Sequence, residues 1–475
     1  MCMCIMKIFF FFRHFRQDRS GSTLMFILIF GAAATTIIVS GVASYGIYEH
    51  RVSLRHHQRD QAFHIAEAGV NYYRWHLAHA PRDYQDGTGT PGPYVHPYAD
   101  KNGTTIGYYS LQIQPPLPGS MVVGVSSTGW TIWRPEVERT VAVRLGFPAL
   151  TDYTFLSNAN MAFGFTSRVN GTVHSNGGIR FDGESDSWVR SARDNYQYYN
   201  PASGRYETRN GIWGGGGPKT FWQFPVPAID FFSVSADLVA LRALAVTGGR
   251  IITSSGREGW HIVFRGAVYD LYRVDSRDCY RGSGRWRWRR NEGWYWDGTT
   301  YCYDIRNQAL VSSNNALPAN GALFVEDDVW VEGVVDGRVT VGAGIVQRPY
   351  YQIYINGNLT YAARGADDVI GLINQGDIIV PYEVPDTMTI EAALLSQFGT
   401  IYRPFYDSNT KSSLTIFGSQ IYYEQGGMKY VNGFGNIISG FINTNYLYDG
   451  NLRYFPPSGF PVGNTYELIS WEEAE

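Results

Sequence analysis

STLMFILIFGAAATTIIVSGVASYG, residues 22–46, contains no charged side chain, and IYEHRVSLRHHQRDQAFHIAEAGVNYYRWHLAH, residues 47–79, follows it without a proline. The first stretch is long enough and apolar enough to cross a bilayer. In the second, Ala62, Ala66, Gly69, Tyr73 and Leu77 recur at the three-to-four spacing of one helix face. One continuous helix of roughly 55 residues, about 80 Å at 1.5 Å per residue, is the simplest reading. Pro81 and DGTGTPGP, residues 86–93, end it.

Upstream, RHFRQDRSG (residues 13–21) carries Arg13, Arg16 and Arg19. That basic flank stays in the cytoplasm and sends the chain after Glu49 outward. A removable secretory signal would have a shorter apolar stretch and a small-residue cleavage site, so the anchor reading is preferred. Residues 1–21 are then a leader, with Met6 as an alternative start.

With 475 residues, two or more structural units are expected. Charged residues make up only 17% of the chain, while Gly, Asn, Tyr and Trp are plentiful, a balance suited to turn-rich β structure. A formal net charge of −3 excludes a surface that is wholly a nucleic-acid footprint and leaves room for a local basic patch. Of four cysteines, Cys2 and Cys4 belong to the leader. Cys279 and Cys302 remain as an even pair, a natural disulfide if the body lies outside the cytoplasm, and their spacing matches no zinc pattern.

YYSLQIQ (108–114), VVGVSSTGW (122–130) and ERTVAVRL (138–145) alternate apolar and polar residues. They predict a small antiparallel β unit over residues 95–150; the alternative is a first piece of a larger β domain. From residue 151 to 475 the pattern changes to short apolar strands between Gly, Asn and Asp, as in RVNGTVHSNGGIRFDG (168–183), LFVEDDVWVEGVVDGRVTVGAG (323–344), IYINGNLTYA (353–362) and VIGLINQGDIIVP (369–381). Strands this short bury a face only by stacking, which predicts a parallel β-helix-like solenoid; a β-sandwich is the rival. The overall class is α+β, mostly β. Residues 230–245 read as a short helix capped by Ser233 or Ser235, with Leu238, Leu241 and Leu244 on one side.

RGSGRWRWRRNEGWYWDGTTYC (281–302) is a β-hairpin signature inserted around residues 270–305. Arg285, Trp286, Arg287, Trp288 and Arg289 alternate before the turn, and Trp294 and Trp296 resume the alternation after it. Cys279 and Cys302 flank the turn almost symmetrically, so a disulfide there closes a loop worth about 3 kcal/mol in the chain-entropy model. Aromatic faces and guanidinium groups serve equally for stacking on a surface glycan and for gripping the phosphates of DNA. The alternative is that the Trp side packs on the body and the Arg side faces water.

The gathered acids Glu326, Asp327, Asp328, Asp367 and Asp368 lie at turns between strands, where Asp bonds its own backbone. The histidines at positions 50, 56, 57, 64, 76 and 79 form no compact ligand set. The sequence therefore carries no metal, no cofactor, no catalytic site and no small-molecule substrate as expectations.

A short basic leader ending in Gly21, a small residue, and a hydrophobic helix continuing as QAFHIAEAGV (61–70) together resemble the PilX family of type IV pilus minor pilins. The AF-x-x-AEAG motif comprises Ala62, Phe63, Ala66, Glu67, Ala68 and Gly69. SNANMAFGF (157–165), PAIDFFSVSADLVALRALA (227–245) and YLYDGNLRYFPPSGFP (446–461) resemble the secreted part of large PilX-like proteins. The resemblance implies cleavage by a prepilin peptidase after Gly21, a new N-terminal Ser22, and helix-mediated packing with other pilins. It also implies passage through the inner membrane to the cell surface or pilus, with a role in assembly at initiation or at the tip, or in adhesion. One position departs: most pilins carry Glu where this chain has Phe26, which fits a tip subunit better than a repeating one. Two alternatives share the same anchor: a membrane-tethered β-helix carbohydrate-active enzyme, and a surface adhesin outside pili.

Overall fold

The computed structural model describes residues 22–474 apart from 118–119, 148, 201–202, 232–236, 290–292, 345–350, 366–367, 425, 433 and 464–465. It is mostly β, with one long N-terminal apolar helix and several sheets, and the largest sheet is not closed into a barrel. The chain divides into two compact units. One holds the residues up to Ile113, Val125–Val143 and the last residues from Trp471; the other holds Gln114–Gly124 and Arg144–Ser470.

In the first unit, α1 (Ser22–His79) runs 58 residues without interruption, about 87 Å at the standard rise. Its first half leaves Leu24, Ile27, Phe30, Ile37, Ile38 and Val42 exposed. By length and composition it could cross a membrane. Its second half buries Ala62, Ala66, Gly69, Tyr73 and Leu77, the stripe that spacing marks out, and adds Ile65 and Val70 to it.

That stripe meets a sheet ordered β1 (Tyr94–Ala99), β2 (Thr105–Gln114), β3 (Val122–Thr131), β4 (Arg134–Gly146) and then the strand Glu467–Ala474. β1 and β2 are antiparallel, with Tyr94 opposite Leu111. Helix and sheet approach almost backbone to backbone. A Cβ built on Gly129 would lie 2.4 Å from both the Ala62 carbonyl oxygen and the Ala66 nitrogen. One on Gly69 would lie 2.2 Å from Ser127 Oγ, and one on Gly107 would lie 2.5 Å from Ile65 Cδ1. Glycine is required at Gly129 because no flexible side chain can yield there; the obstacles are main-chain atoms.

The strand Glu467–Ala474, which the sequence analysis leaves inside the body, completes this sheet beside β4. Trp471 packs edge-on against Phe63 at 5.9 Å, and Glu473 pairs with Arg139. Residues far apart in sequence thus share one small core.

In the second unit the strands pair mainly in parallel. Arg250–Ile252, Ala322–Val325, Arg338–Ala343, Val369–Asn374, Thr387–Ser396 and Thr410–Tyr422 lie side by side in that order. The ladder continues with Phe155–Ser157, Val173–Ser175 and Val189–Ser191. Sequence order therefore breaks once, where Gln420 sits opposite Phe155.

Both faces of the ladder are buried, the usual condition of parallel sheets. Leu323, Val325, Val341, Leu372 and Leu394 enter the main core. The alternate residues Phe324, Val369, Ile373, Ala393 and Leu395 enter a second core. That second core is covered by α2 (Asp237–Thr247). α2 begins later and ends later than the expected 230–245, and Ser233 and Ser235 lie outside the described residues. It buries Leu238, Leu241 and Ala245, while Leu244 is exposed. The i, i+3, i+7 face wins because Gly342, whose Cβ would meet Leu241 at 2.5 Å, opens room for it.

Gly129→Val is expected to destabilise the first unit by about 2–3 kcal/mol, the cost of overpacking against rigid neighbours. Gly31→Val, where nothing lies within 4 Å, should leave the sheet intact. Amide exchange in β2 and β3 of full-length protein in lipid nanodiscs checks this: accelerated exchange for the first variant only agrees, and equal exchange in both contradicts it.

Candidate functional site

The antiparallel strands Val268–Arg289 and Gly293–Ala316 form one long hairpin. In its register Trp286 stands opposite Trp296 and Trp288 opposite Trp294, while Arg287 faces Tyr295 and Arg285 faces Asp297. Period-two alternation therefore places Trp286, Trp288 and Trp296 on one side of the ribbon and Arg285, Arg287 and Arg289 on the other.

The Trp286 and Trp296 rings meet edge to face at 5.9 Å, and Arg281 lies over the Trp286 ring at 4.1 Å. Gly284 and Gly298 make this possible: a Cβ on either would strike the other glycine and the Trp296 indole. On the opposite side Arg287 pairs with Asp297, and Arg289 lies over Tyr295 at 5.0 Å. Trp286 and Trp288 remain 48% and 58% exposed, with Arg281 covering one face of Trp286. The Trp294 side chain lies outside the described residues.

The hairpin is rooted more firmly than its tip suggests. A disulfide joins Cys279 and Cys302. Tyr280 stacks on Tyr382 at 3.8 Å and donates to Glu383 Oε1 at 2.8 Å. Buried Asp304 accepts from the backbone amides of Tyr382, at 3.1 Å, and Glu383, at 2.6 Å. Desolvation pushes its carboxyl up to about 6. Below, fully buried Arg403 donates to the Tyr382 carbonyl at 3.2 Å and to Asn409 Oδ1 at 2.6 Å. Its desolvation lowers the guanidinium to about 10, which keeps it charged at neutral pH.

A second hairpin was missed by sequence reasoning. Asn195–Asn200 pairs with Arg205–Asn210, and Arg180 and Arg209 lie over Trp213 at 5.3 Å and 4.6 Å. Tyr199 and Tyr206 are exposed at its end. The alternation in NYQYYN and RYETRN could have revealed it.

The carboxylates act as turn fasteners: Asp327 and Asp368 are buried, and Glu326 and Asp328 are half-buried. Asp327 accepts from the Ser255 amide at 2.7 Å, Asp328 from Arg277 at 2.7 Å and from the Gln352 amide at 2.7 Å, and Asp368 from the Gly337 amide at 2.6 Å. Glu326 pairs with Arg242 at 2.8 Å. Asp367 lies outside the described residues. Along α1, His64 pairs with Glu67 at 3.2 Å and His76 with Asp83 at 3.0 Å. Gly21 lies outside the described residues, Ser22 opens α1, and Phe26 is exposed. Ala62, Ala66 and Gly69 are buried, whereas Phe63, Glu67 and Ala68 are partly exposed.

No family model matches this sequence, and no curated protein matches it. Among solved structures, the competence-associated pilin ComZ from Thermus thermophilus is similar at 14% identity, with 88% of this chain and 97% of that chain covered and a TM-score of 0.28. A score that low carries no argument about this chain.

Because burial raises the Asp304 carboxyl, the folded hairpin base binds more protons than the unfolded chain between pH about 4 and about 6. Its stability therefore falls as pH rises through that window. Exchange of the Tyr382 and Glu383 amides should quicken there beyond the intrinsic base-catalysed rise, and Asp304→Asn should remove the excess. An unchanged pH profile in the variant contradicts the assignment.

Proposed function

We propose that this chain is a minor subunit of a type IV pilus, acting at initiation or at the tip, with an outward body that serves adhesion or aggregation. The observation that carries this reading is the division of labour along α1. Its charge-free half is exposed and suited to lipid or to neighbouring apolar helices, while its Ala62, Ala66 and Gly69 half is committed to a sheet. The leader motif ending in Gly21 supports processing by a prepilin peptidase to expose Ser22. Phe26 in place of an acid supports a position entered once, since a carboxylate partner for the next subunit's terminus is lacking.

The body is read as a solenoid-like stack. Its support is the in-register parallel ladder from Arg250–Ile252 to Val189–Ser191, in which each short strand buries both faces only through its neighbours. The Trp and Arg hairpin is its contact element for a surface glycan or DNA. We read the chain as non-enzymatic, because Asp327, Asp328 and Asp368 are spent on backbone amides and on Arg277.

Protein recovered from cell membranes should begin at Ser22; an N-terminus elsewhere contradicts the pilin assignment. The double variant Trp286→Ala, Trp288→Ala should lower attachment by about tenfold, within the range of aromatic stacking losses, while pilus number stays unchanged. Unaltered attachment would remove the hairpin from the contact surface.

A further inference from the structure

A cavity of about 260 Å³ opens beside the main core of the body. Phe155, Met161, Phe163, Tyr422, Met428 and Tyr446 supply its apolar wall, and all of them belong to the main core cluster. It is larger than the roughly 150 Å³ that accommodates benzene in an engineered core. At its rim Phe165 and Val431 are 67% and 56% exposed.

Two polar groups in this wall are donors short of acceptors. The Gln420 side chain is 3% exposed, and its Nε2 has no hydrogen-bond partner among the described residues. A buried amide left unpaired costs about 1–3 kcal/mol. Among the described residues Lys429 Nζ donates only to neutral hydroxyls, Thr166 Oγ1 at 2.7 Å and Thr444 Oγ1 at 3.1 Å. No carboxylate of the described residues lies within ion-pair distance of it. Asp182, which also lines the cavity, is already paired with Arg180 at 2.7 Å. Burial alone pulls the Lys429 ammonium down to about 8, as expected for a partly desolvated cation without a counter-ion.

We propose that this cavity binds an apolar or aromatic molecule bearing one carboxylate, whose oxygens accept from Lys429 Nζ and, once the occluded amide turns toward the cavity, from Gln420 Nε2, while its hydrocarbon part fills the Phe and Met wall. A carboxylate answers both orphan donors at once. An alcohol leaves the ammonium without a counter-charge, and an amine adds a second positive charge beside it. The site is separate from the hairpin and independent of the pilus assignment.

The test uses full-length protein in lipid nanodiscs, with empty nanodiscs as the blank. The probes are 4-phenylbutyrate, 4-phenylbutanol and 4-phenylbutylamine. Calorimetry gives affinity, and reductive methylation followed by peptide mass analysis reads Lys429 directly, with Lys411 as the internal control. Phenylbutyrate should bind saturably and slow Lys429 methylation, and the alcohol should bind at least about tenfold more weakly, the loss expected for a charge-assisted hydrogen bond. Lys429→Met should abolish the preference for acid over alcohol, and Gln420→Leu should weaken acid binding about fivefold. Equal binding of all three probes, or no saturable protection of Lys429 by phenylbutyrate, overturns the proposal whether or not the variants fold.

Discussion

Main-chain contact between α1 and its sheet is the constraint on which the first unit depends. The Ala62 carbonyl and Ala66 amide occupy the place where any side chain at position 129 would stand. Helices and sheets ordinarily keep bulky side chains between them. Here Ala62, Ala66 and Gly69 on the helix, with Gly107 and Gly129 on the sheet, remove that spacer. Close approach trades hydrophobic volume for dispersion over many backbone atoms and fixes the register of helix on sheet. The turns of α1 before residue 47 carry no packing duty within this unit, and they are uncharged and apolar to suit another environment.

The body solves a different problem. Strands such as Phe155–Ser157 and Ala322–Val325 are far too short to stand alone, so their stability comes from parallel neighbours and from cores on both faces. α2 closes one of those faces. The long hairpin then departs from this framework, held by buried Asp304, which accepts from a backbone amide, by half-buried Tyr280, which donates to a carboxylate, and by buried Arg403, which donates to a backbone carbonyl and to the Asn409 amide oxygen. Rigid roots and an exposed Trp and Arg tip are what a contact element requires, since ordering costs are met in the fold rather than on binding.

Much of this was legible in the residues. The absence of charge in residues 22–46, and of proline through to residue 79, marks the helix, because nothing in the stretch breaks it. The buried stripe at Ala62, Ala66, Gly69, Tyr73 and Leu77 follows from helical periodicity, and the Trp pairing follows from strand alternation. The ladder order was not legible: the juxtaposition of Gln420 with Phe155 joins segments with no local signature of each other. The return of Trp471 to the first unit is hidden for the same reason, as is the Gln420 and Lys429 cavity. Leu244 misled because spacing alone cannot choose between the i+3 and i+4 neighbours of Leu241; Gly342 decides it from across the core.

The account rests on α1 having one face for lipid or fellow helices and, further along, one face for its own sheet. Spin labels placed singly along α1 of the full-length chain in lipid nanodiscs test this most directly, through their accessibility to oxygen and to a water-soluble nickel complex. Labels between residues 24 and 45 should meet oxygen and exclude nickel, whereas labels at solvent-facing positions such as Arg74 and Trp75 should meet nickel freely. Free access of nickel throughout residues 24–45 would contradict the account.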